Sequence, residues 1–139
     1  MGLILDSSVL IAGERRNKSV RQILSRLRAT HGETEAAISV ITVVELTHGL
    51  YRAKIDSDRR RRQEFAEEVY RDLVVYPIGV EIAQLAGRIE GEQMARGISI
   101  AFQDLLIGAT ALKLGFDLVT LNIRHFEKIP DLKIVSPFS

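Results

Sequence analysis

Short apolar runs alternate with longer stretches of helical periodicity along this chain. The apolar runs at 3–5 and 36–41 predict buried strands, because they are too short for core helices and the second is rich in β-branched residues. A stretch with apolar residues at helical spacing follows each run, at 18–30 and at 42–53. This order of strand and helix, met twice in succession, predicts an α/β fold.

The rest of the chain continues this alternation. A turn at 124–130 precedes the last of three further strands, which are predicted at 73–78, 117–122 and 132–135. Three more helices are predicted, from Asp56 to Asp72, from Glu81 to Arg96 and from Gln103 to Leu114. We therefore expect a single domain over residues 1–139, built on a central, mostly parallel β-sheet of about five strands flanked by helices.

Composition narrows the class of protein. The chain has 139 residues, of which 46% are hydrophobic and 27% charged, and such a chain can close its own core. It has no cysteine, which excludes disulfides, thiolate metal ligands and a cysteine nucleophile. No apolar run approaches the roughly 20 residues that span a bilayer, so we expect a soluble cytoplasmic protein without a membrane partner. The net charge of +1 leaves any binding of nucleic acid to local basic clusters.

Three acidic residues stand inside apolar segments, where a charge needs a partner. Asp6 follows the strand at 3–5 directly, so it is expected at the carboxyl end of a parallel strand, where ligands bind in such sheets. Glu45 and Asp104 fall in the first turns of predicted helices. All three side chains can therefore face one crevice.

Carboxylates that meet in one crevice repel each other. Two of them about 4 Å apart repel by about 4 kcal/mol at an effective dielectric constant of about 20, and only protonation or a cation removes this cost. Because the predicted donor set is made of oxygens, a hard cation such as Mg²⁺ or Mn²⁺ fits better than Zn²⁺. The sequence thus predicts a metal site of the kind that serves phosphate chemistry.

Four segments together resemble the successive motifs of PIN-domain ribonucleases, specifically the VapC-type toxins of VapBC toxin–antitoxin systems. In chain order they read "LILDSSVLI", "ISVITVVELTHGL", "GISIAFQDLLIGATAL" and "LVTLNIRHFEKIPDLKIV". The resemblance implies a PIN-like fold in which Asp6, Glu45 and Asp104 are catalytic and hold Mg²⁺ or Mn²⁺. It implies an endoribonuclease toxin that cuts a transfer RNA or a ribosomal RNA, forms a homodimer and binds a VapB-type antitoxin.

The resemblance also assigns supporting residues. Ser7, Ser8 and Thr120 are then nearby hydroxyls that orient ligands or water, and the family's fourth acidic position falls on Asn122. This asparagine departs from the four-acid pattern, so we expect one cation held well and a second held weakly. The small residues that follow Asp104 on its own helix face are interpreted first as a site of close helix packing.

The basic residues and the histidines are expected to have smaller parts in the site than the three acids, or none. Arg15, Arg16 and Lys18 follow the Asp6 segment and are expected to rim the crevice and bind RNA. The run at 59–62 is interpreted as the solvated face of a surface helix. Of three scattered histidines, only His48 is expected near the site.

Two alternative functions stand against a ribonuclease, and only the second of them remains open. A receiver domain or a dehalogenase-type phosphatase needs a second acid close to the first, and Ser7 and Ser8 follow Asp6 instead. The alternative that stays open is a PIN-like module with weak or no catalysis that binds RNA or protein. Apolar residues in excess of one small core, on the helical segments 8–30 and 42–53, also favour a partner surface.

Overall fold

The computed structural model describes residues 1–137 and forms five strands and seven helices within them. The strands are β1 (Gly2–Leu5), β2 (Glu35–Ser39), β3 (Val74–Tyr76), β4 (Asp117–Val119) and β5 (Ile134–Val135). They form one sheet in the order β3-β2-β1-β4-β5, and every pairing is parallel. The α/β prediction is confirmed, with a sheet that is entirely parallel in this part of the chain. Residues 138–139 of the predicted domain lie outside the described residues.

The helices cover both faces of the sheet. They are α1 (Ser7–Arg15), α2 (Val20–His31), α3 (Val40–Arg52), α4 (Asp56–Asp72), α5 (Val80–Met94), α6 (Phe102–Leu114) and α7 (Ile123–Phe126). The predicted turn at 124–130 was wrong in part, because the four-residue α7 overlaps its first half. None of the seven helices is both long and apolar enough to cross a membrane.

The central strand β1 joins two hydrophobic clusters. Leu3 and Leu5 belong to a cluster shared with α1, α2 and α4, whereas Ile4 belongs to a cluster shared with α5 and α6. Successive side chains of a strand point to opposite faces of the sheet, so each layer of helices buries part of the same strand. Burial on both faces explains why this run contains no polar residue.

The strand order creates a crevice at one edge of the sheet. The chain passes from β1 to β2 and β3 on one side, and later adds β4 and β5 on the other side. At such a reversal the connections leave the sheet in opposite directions, and a ligand crevice opens at the carboxyl ends of the two strands that flank it. Asp6 directly follows β1 and Thr120 directly follows β4, so both stand at this crevice.

The arginine run at 59–62 does more than solvate a surface helix. Arg59 Nε donates to the carbonyl oxygen of Leu50 at 3.2 Å, and Arg62 Nη1 donates to that of Gly49 at 2.7 Å. These carbonyls belong to the last turn of α3, where they lack partners within the helix. The interpretation as a solvated face was therefore wrong for these arginines, which cap α3.

The small residues that follow Asp104 on α6 serve close helix packing, as interpreted from the sequence. A Cβ atom added at Gly108 would collide with Cδ1 of Ile129, a side chain that is itself buried. Glycine at this position thus lets α6 approach the segment that follows α7. The close approach brings α7 against the helix that carries Asp104.

We predict that Arg62→Ala lowers the free energy of unfolding by about 1–2 kcal/mol, because it removes a charged donor from a helix-terminal carbonyl. Urea denaturation measures the change. Arg60→Ala makes the same substitution on the exposed face of the same helix and is expected to change stability by less than about 0.5 kcal/mol. Equal losses in the two variants would contradict the capping role.

Candidate active site

Asp6 is a buried carboxylate held by two hydroxyl groups. It is 3% exposed, at the junction of β1 and α1. Its Oδ2 atom accepts hydrogen bonds from Ser8 Oγ at 2.7 Å and from Thr120 Oγ1 at 2.8 Å. Hydrogen bonds to a charged acceptor offset much of the cost of burying it. The structure thus places two of the predicted hydroxyl residues directly on the first predicted acid.

The same hydroxyls fix the backbone that follows β4. The backbone N–H of Leu121 donates to Ser8 Oγ at 3.1 Å, and that of Asn122 donates to Thr120 Oγ1 at 2.9 Å. Each hydroxyl therefore accepts from the β4–α7 turn and donates to Asp6. Asn122, at the family's fourth acidic position, is exposed and precedes α7 directly at the rim of the crevice.

Glu45 lies on α3 and is half-buried. The pKa of its carboxyl is raised, first by burial, then by the negative charge of Asp6, with a smaller contribution from Asp104. A hydrogen bond from the Ser7 side chain acts in the opposite direction. Glu45 Oε1 is buried without a hydrogen-bond partner among the described residues. A buried oxygen of this kind is costly unless a ligand completes it.

The start of α3 corrects one prediction about Glu45. The strand was expected to run to residue 41, but β2 ends at Ser39, whose hydroxyl accepts a hydrogen bond from the N–H of Ile41 at 3.1 Å. This side chain caps the helix, so α3 begins at Val40. Glu45 therefore stands in the second turn of the helix and not in its first.

Asp104 stands in the first turn of α6, as predicted. Burial, and then the charge of Asp6, raise the pKa of its carboxyl, while His125 and Lys128 act to lower it. The Oδ2 atom of Asp104 lies 3.4 Å from Nδ1 of His125. Basic side chains thus lower the pKa of Asp104, whereas no basic residue is among the causes that act on the pKa of Glu45.

His125 is the site residue that sequence reasoning missed. The expectation that only His48 would lie near the site was wrong, because α7 packs against α6 and carries His125 to Asp104. Helical periodicity cannot reveal a helix of four residues. The available signal was the place of His125 inside the last resembling motif. His48 is exposed on α3, beside a cavity that Glu45 also lines.

The three predicted acids share one crevice but are not yet gathered as metal ligands. Asp6 raises the pKa of both Glu45 and Asp104, which places the three charges within electrostatic reach of one another. Among residues 1–137, however, no group of three or more histidine, aspartate or glutamate side chains stands at metal-ligand spacing. Carboxylates within electrostatic reach repel one another, and a bound cation would offset this repulsion.

The donor chemistry fits a hard divalent cation. The acids offer carboxylate oxygens, and the partnerless Oε1 of Glu45 is available to a ligand. Such oxygen donors suit Mg²⁺ or Mn²⁺. Asp6, Glu45 and Asp104 are therefore the residues that would hold the ion.

The predicted basic rim divides between two places. Arg15 lines a cavity together with Glu45, between α1, α3 and α4. Arg16 and Lys18 line a separate cavity beside α2. Of the three basic residues, only Arg15 thus borders a predicted acid.

Comparison with known proteins identifies the family. A family model described as the PIN domain matches residues 3–132. The chain belongs to the PIN-domain family. Its curated relatives include a ribonuclease VapC of Rickettsia bellii, 33% identical over 98% of this chain and 96% of that protein. A ribonuclease VapC1 of Rickettsia felis is 34% identical over the same shares, and the predicted resemblance to VapC-type proteins is confirmed.

Solved structures show the same fold. The PIN domain is similar to a chain of DNA-bound VapBC from Salmonella typhimurium, with a TM-score of 0.83 and 23% identity over 99% of this chain and 98% of that one. It is also similar to a chain of VapBC2 from Rickettsia felis bound to a promoter DNA fragment, with a TM-score of 0.80 and 23% identity over 98% of this chain and 98% of that one. At this identity the likeness establishes the fold alone.

The raised pKa values predict how stability of the metal-free PIN domain depends on pH. A carboxyl whose pKa is higher in the folded than in the unfolded state binds protons more tightly when folded. Its unfavourable contribution is absent at pH values below the unfolded-state pKa and develops as the pH rises through the folded-state pKa. Glu45→Gln removes one such group, so we expect a higher urea midpoint than the wild-type protein at pH 7.5 in EDTA.

As the pH is lowered toward 4, Glu45 takes up a proton in the folded and the unfolded state, and the difference between Glu45→Gln and the wild-type protein is expected to shrink. Glu64→Gln, at an exposed position on α4, is the matched control and is expected to leave the midpoint close to wild type at both pH values. A Glu45→Gln variant that is less stable than the wild-type protein at pH 7.5 would contradict the assigned electrostatics.

Proposed function

We propose that this PIN domain is a Mg²⁺- or Mn²⁺-dependent endoribonuclease that acts as the toxin of a type II toxin–antitoxin system. The observation that carries the proposal is the shared crevice of Asp6, Glu45 and Asp104, where the charge of Asp6 raises the pKa of the other two carboxyls and one buried Glu45 oxygen has no hydrogen-bond partner among residues 1–137. Relatives at 33–34% identity over nearly the whole chain are named ribonuclease VapC, which supports the same activity.

The side chains of the crevice divide the work of phosphodiester hydrolysis. When bound, the cation supplies Lewis-acid chemistry, activating water and offsetting charge on the phosphate. Hydrogen bonds from Ser8 and Thr120 hold the Asp6 carboxylate in place, so its position in the site is fixed. Glu45 Oε1, which has no hydrogen-bond partner among the described residues, would bind the cation or the water that the cation activates. Because water and not the ribose 2′-hydroxyl attacks, the products carry a 3′-hydroxyl and a 5′-phosphate.

The substrate that we infer is a structured RNA, either a transfer RNA or a ribosomal RNA. Proteins recognise RNA sequence mostly in loops and bulges, where bases are unstacked and the backbone is accessible. The domain has only three tyrosines and no tryptophan. Contacts to the phosphate backbone and the shape of the RNA therefore carry more of the recognition than base stacking. The cytoplasmic localisation stays a prediction.

A VapB-type antitoxin is the protein partner that we infer. Several structurally similar chains come from VapBC structures or from a toxin–antitoxin complex. A cavity of about 430 Å³ beside α1 and α2, lined by apolar residues such as Val9 and Ile23 together with Arg16 and Lys18, supports a partner surface on these helices.

A homodimer is the second assembly that we infer. The outer face of α3 exposes Val40, Val44 and Tyr51, with 36%, 62% and 78% of their surface accessible. Spacings of four and seven residues put these side chains on one stripe of the helix. An apolar stripe on a helix is typical of a surface that a partner covers.

The alternative function is a PIN-like module that binds RNA or protein without cutting. The acids of the crevice argue against it, because carboxyls such as Glu45 and Asp104, whose pKa is raised by burial and by the charge of Asp6, weaken the fold unless they serve a ligand. The cleavage experiment distinguishes the two.

We predict that the protein with Mg²⁺ cuts a cellular RNA pool, and that Asp6→Asn and Asp104→Asn each lower the rate at least about 100-fold. Loss of one metal-holding charge removes several kcal/mol of transition-state stabilisation. Gel analysis and mapping of the cut ends measure the rate and the 3′-hydroxyl product. Asp72→Asn, at an exposed position at the end of α4, serves as the control. Cleavage that persists in all three variants would refute the proposal.

Mg²⁺ or Mn²⁺ is predicted to stabilise the fold directly. A ligand present at 100 times its dissociation constant adds about 2.7 kcal/mol to the free energy of unfolding. The thermal midpoint of the wild-type protein should therefore rise with added cation, and that of Asp6→Asn should rise much less. The thermal midpoint in EDTA, without added cation, gives the baseline for each protein. An equal rise in both proteins would indicate that the cation binds elsewhere.

A further inference from the structure

A second cavity adjoins the crevice on the side of Glu45. It has a volume of about 210 Å³ and opens between α1, α3 and α4. Whole small-molecule sites have volumes of roughly 300–1,000 Å³, so this cavity suits one unit of a polymer better than a complete ligand. Its apolar surface comes from Ile11, Leu46 and Phe65, and Glu45 lines the same cavity.

Some of the charged side chains around the cavity have hydrogen-bond or ion-pair partners, and others do not. Glu14 lines it, but its carboxylate lies 3.3 Å from Nε of Arg61, and its side chain is only 11% exposed. Arg62 also lines it and is bound to the Gly49 carbonyl. The side chains of Arg15 and Arg52, in contrast, have no hydrogen bond or ion pair within residues 1–137, and both residues are exposed.

The two unpaired guanidinium groups come from different helices. Arg15 is the last residue of α1 and Arg52 the last residue of α3, and both side chains line the one cavity. Guanidinium groups bind phosphate oxygens with paired hydrogen bonds, which makes arginine a preferred ligand for a nucleic-acid backbone. Glu45 is the remaining acid there without an ion-pair partner, and a cation bound by it would offset its repulsion of a phosphate.

We propose that this cavity is a subsite for the nucleotide next to the scissile phosphate of the RNA, with Arg15 and Arg52 binding its backbone phosphate. The inference rests on the proposed ribonuclease function and extends it to the placement of the substrate. Glu45 lines this cavity and also belongs to the carboxylate crevice, so a chain bound by the two arginines would lie next to the proposed site of cleavage, which favours RNA over an acidic protein segment. Arg16, the neighbour of Arg15, lines the other cavity and is not part of this subsite.

The test measures RNA binding separately from cleavage. The probe is a fluorescein-labelled single-stranded RNA of about 10 nucleotides, a length within the range of single-strand binding sites. Fluorescence anisotropy in EDTA gives the Kd of the full chain without cutting, over a series of salt concentrations. Arg15→Gln and Arg52→Gln are compared with Arg60→Gln, an exposed arginine on α4 that does not line the cavity.

Each subsite variant is expected to raise Kd by about 3–10-fold and to reduce the slope of log affinity against log salt by about 0.7, the value for one phosphate contact to a single strand. Arg60→Gln is expected to change Kd less than about 2-fold and to keep the slope. A thermal midpoint within a few degrees of wild type shows that each variant is folded. Together these results support the subsite.

Equal Kd and slope in all three variants would overturn the subsite, even where Asp6→Asn abolishes cleavage and the ribonuclease proposal stands. The expected binding losses in a protein that fails to cut RNA would show that the two arginines bind RNA, but they would refute the ribonuclease proposal and, with it, a subsite next to a scissile phosphate. RNA binding that is unchanged in Arg15→Gln and Arg52→Gln, together with weakened binding of a co-purified antitoxin, would assign the cavity to protein and overturn the inference.

Discussion

The buried carboxylate of Asp6 is the constraint on which the site depends. A charge that is 3% exposed needs donors, and the two it has come from residues 2 and 114 positions away in the chain. Because Ser8 and Thr120 also accept N–H groups from the turn after β4, one network joins the carboxyl ends of two adjacent strands. The position of the crevice is therefore as rigid as the sheet itself.

The other two acids are less well compensated than Asp6. Glu45 and Asp104 stand where burial and the charge of Asp6 both raise the pKa of their carboxyls, so the metal-free fold is weakened by its own site. Such local conflicts with stability are typical of functional sites, since the ligand and not the fold resolves them. Asp104 is partly relieved by His125, whereas Glu45 Oε1 has no partner among the described residues.

The helix that carries Glu45 is positioned by a helix with few apolar residues. Only a narrow face of α4 is buried, yet Arg59 and Arg62 cap the last turn of α3, and Arg61 pairs with Glu14 of α1. Polar contacts thus fix the two helices that flank the second cavity. The sequence predicts α4 only as a solvated surface helix. A charged residue gives the same helical pattern whether its N–H groups donate to water or to a carbonyl of a neighbouring helix, so the pattern cannot reveal these contacts.

The alternation of strands and helices, the parallel sheet and the three acids in apolar segments could all be predicted from the order of residues. These features depend on local periodicity and on the cost of burying a charge, and both can be read along the chain. The contact of His125 with Asp104, and the lining of different cavities by Arg15 and Arg16, could be seen only in the folded protein. Those outcomes depend on which helix faces pack together, and contacts between residues far apart in sequence set that choice.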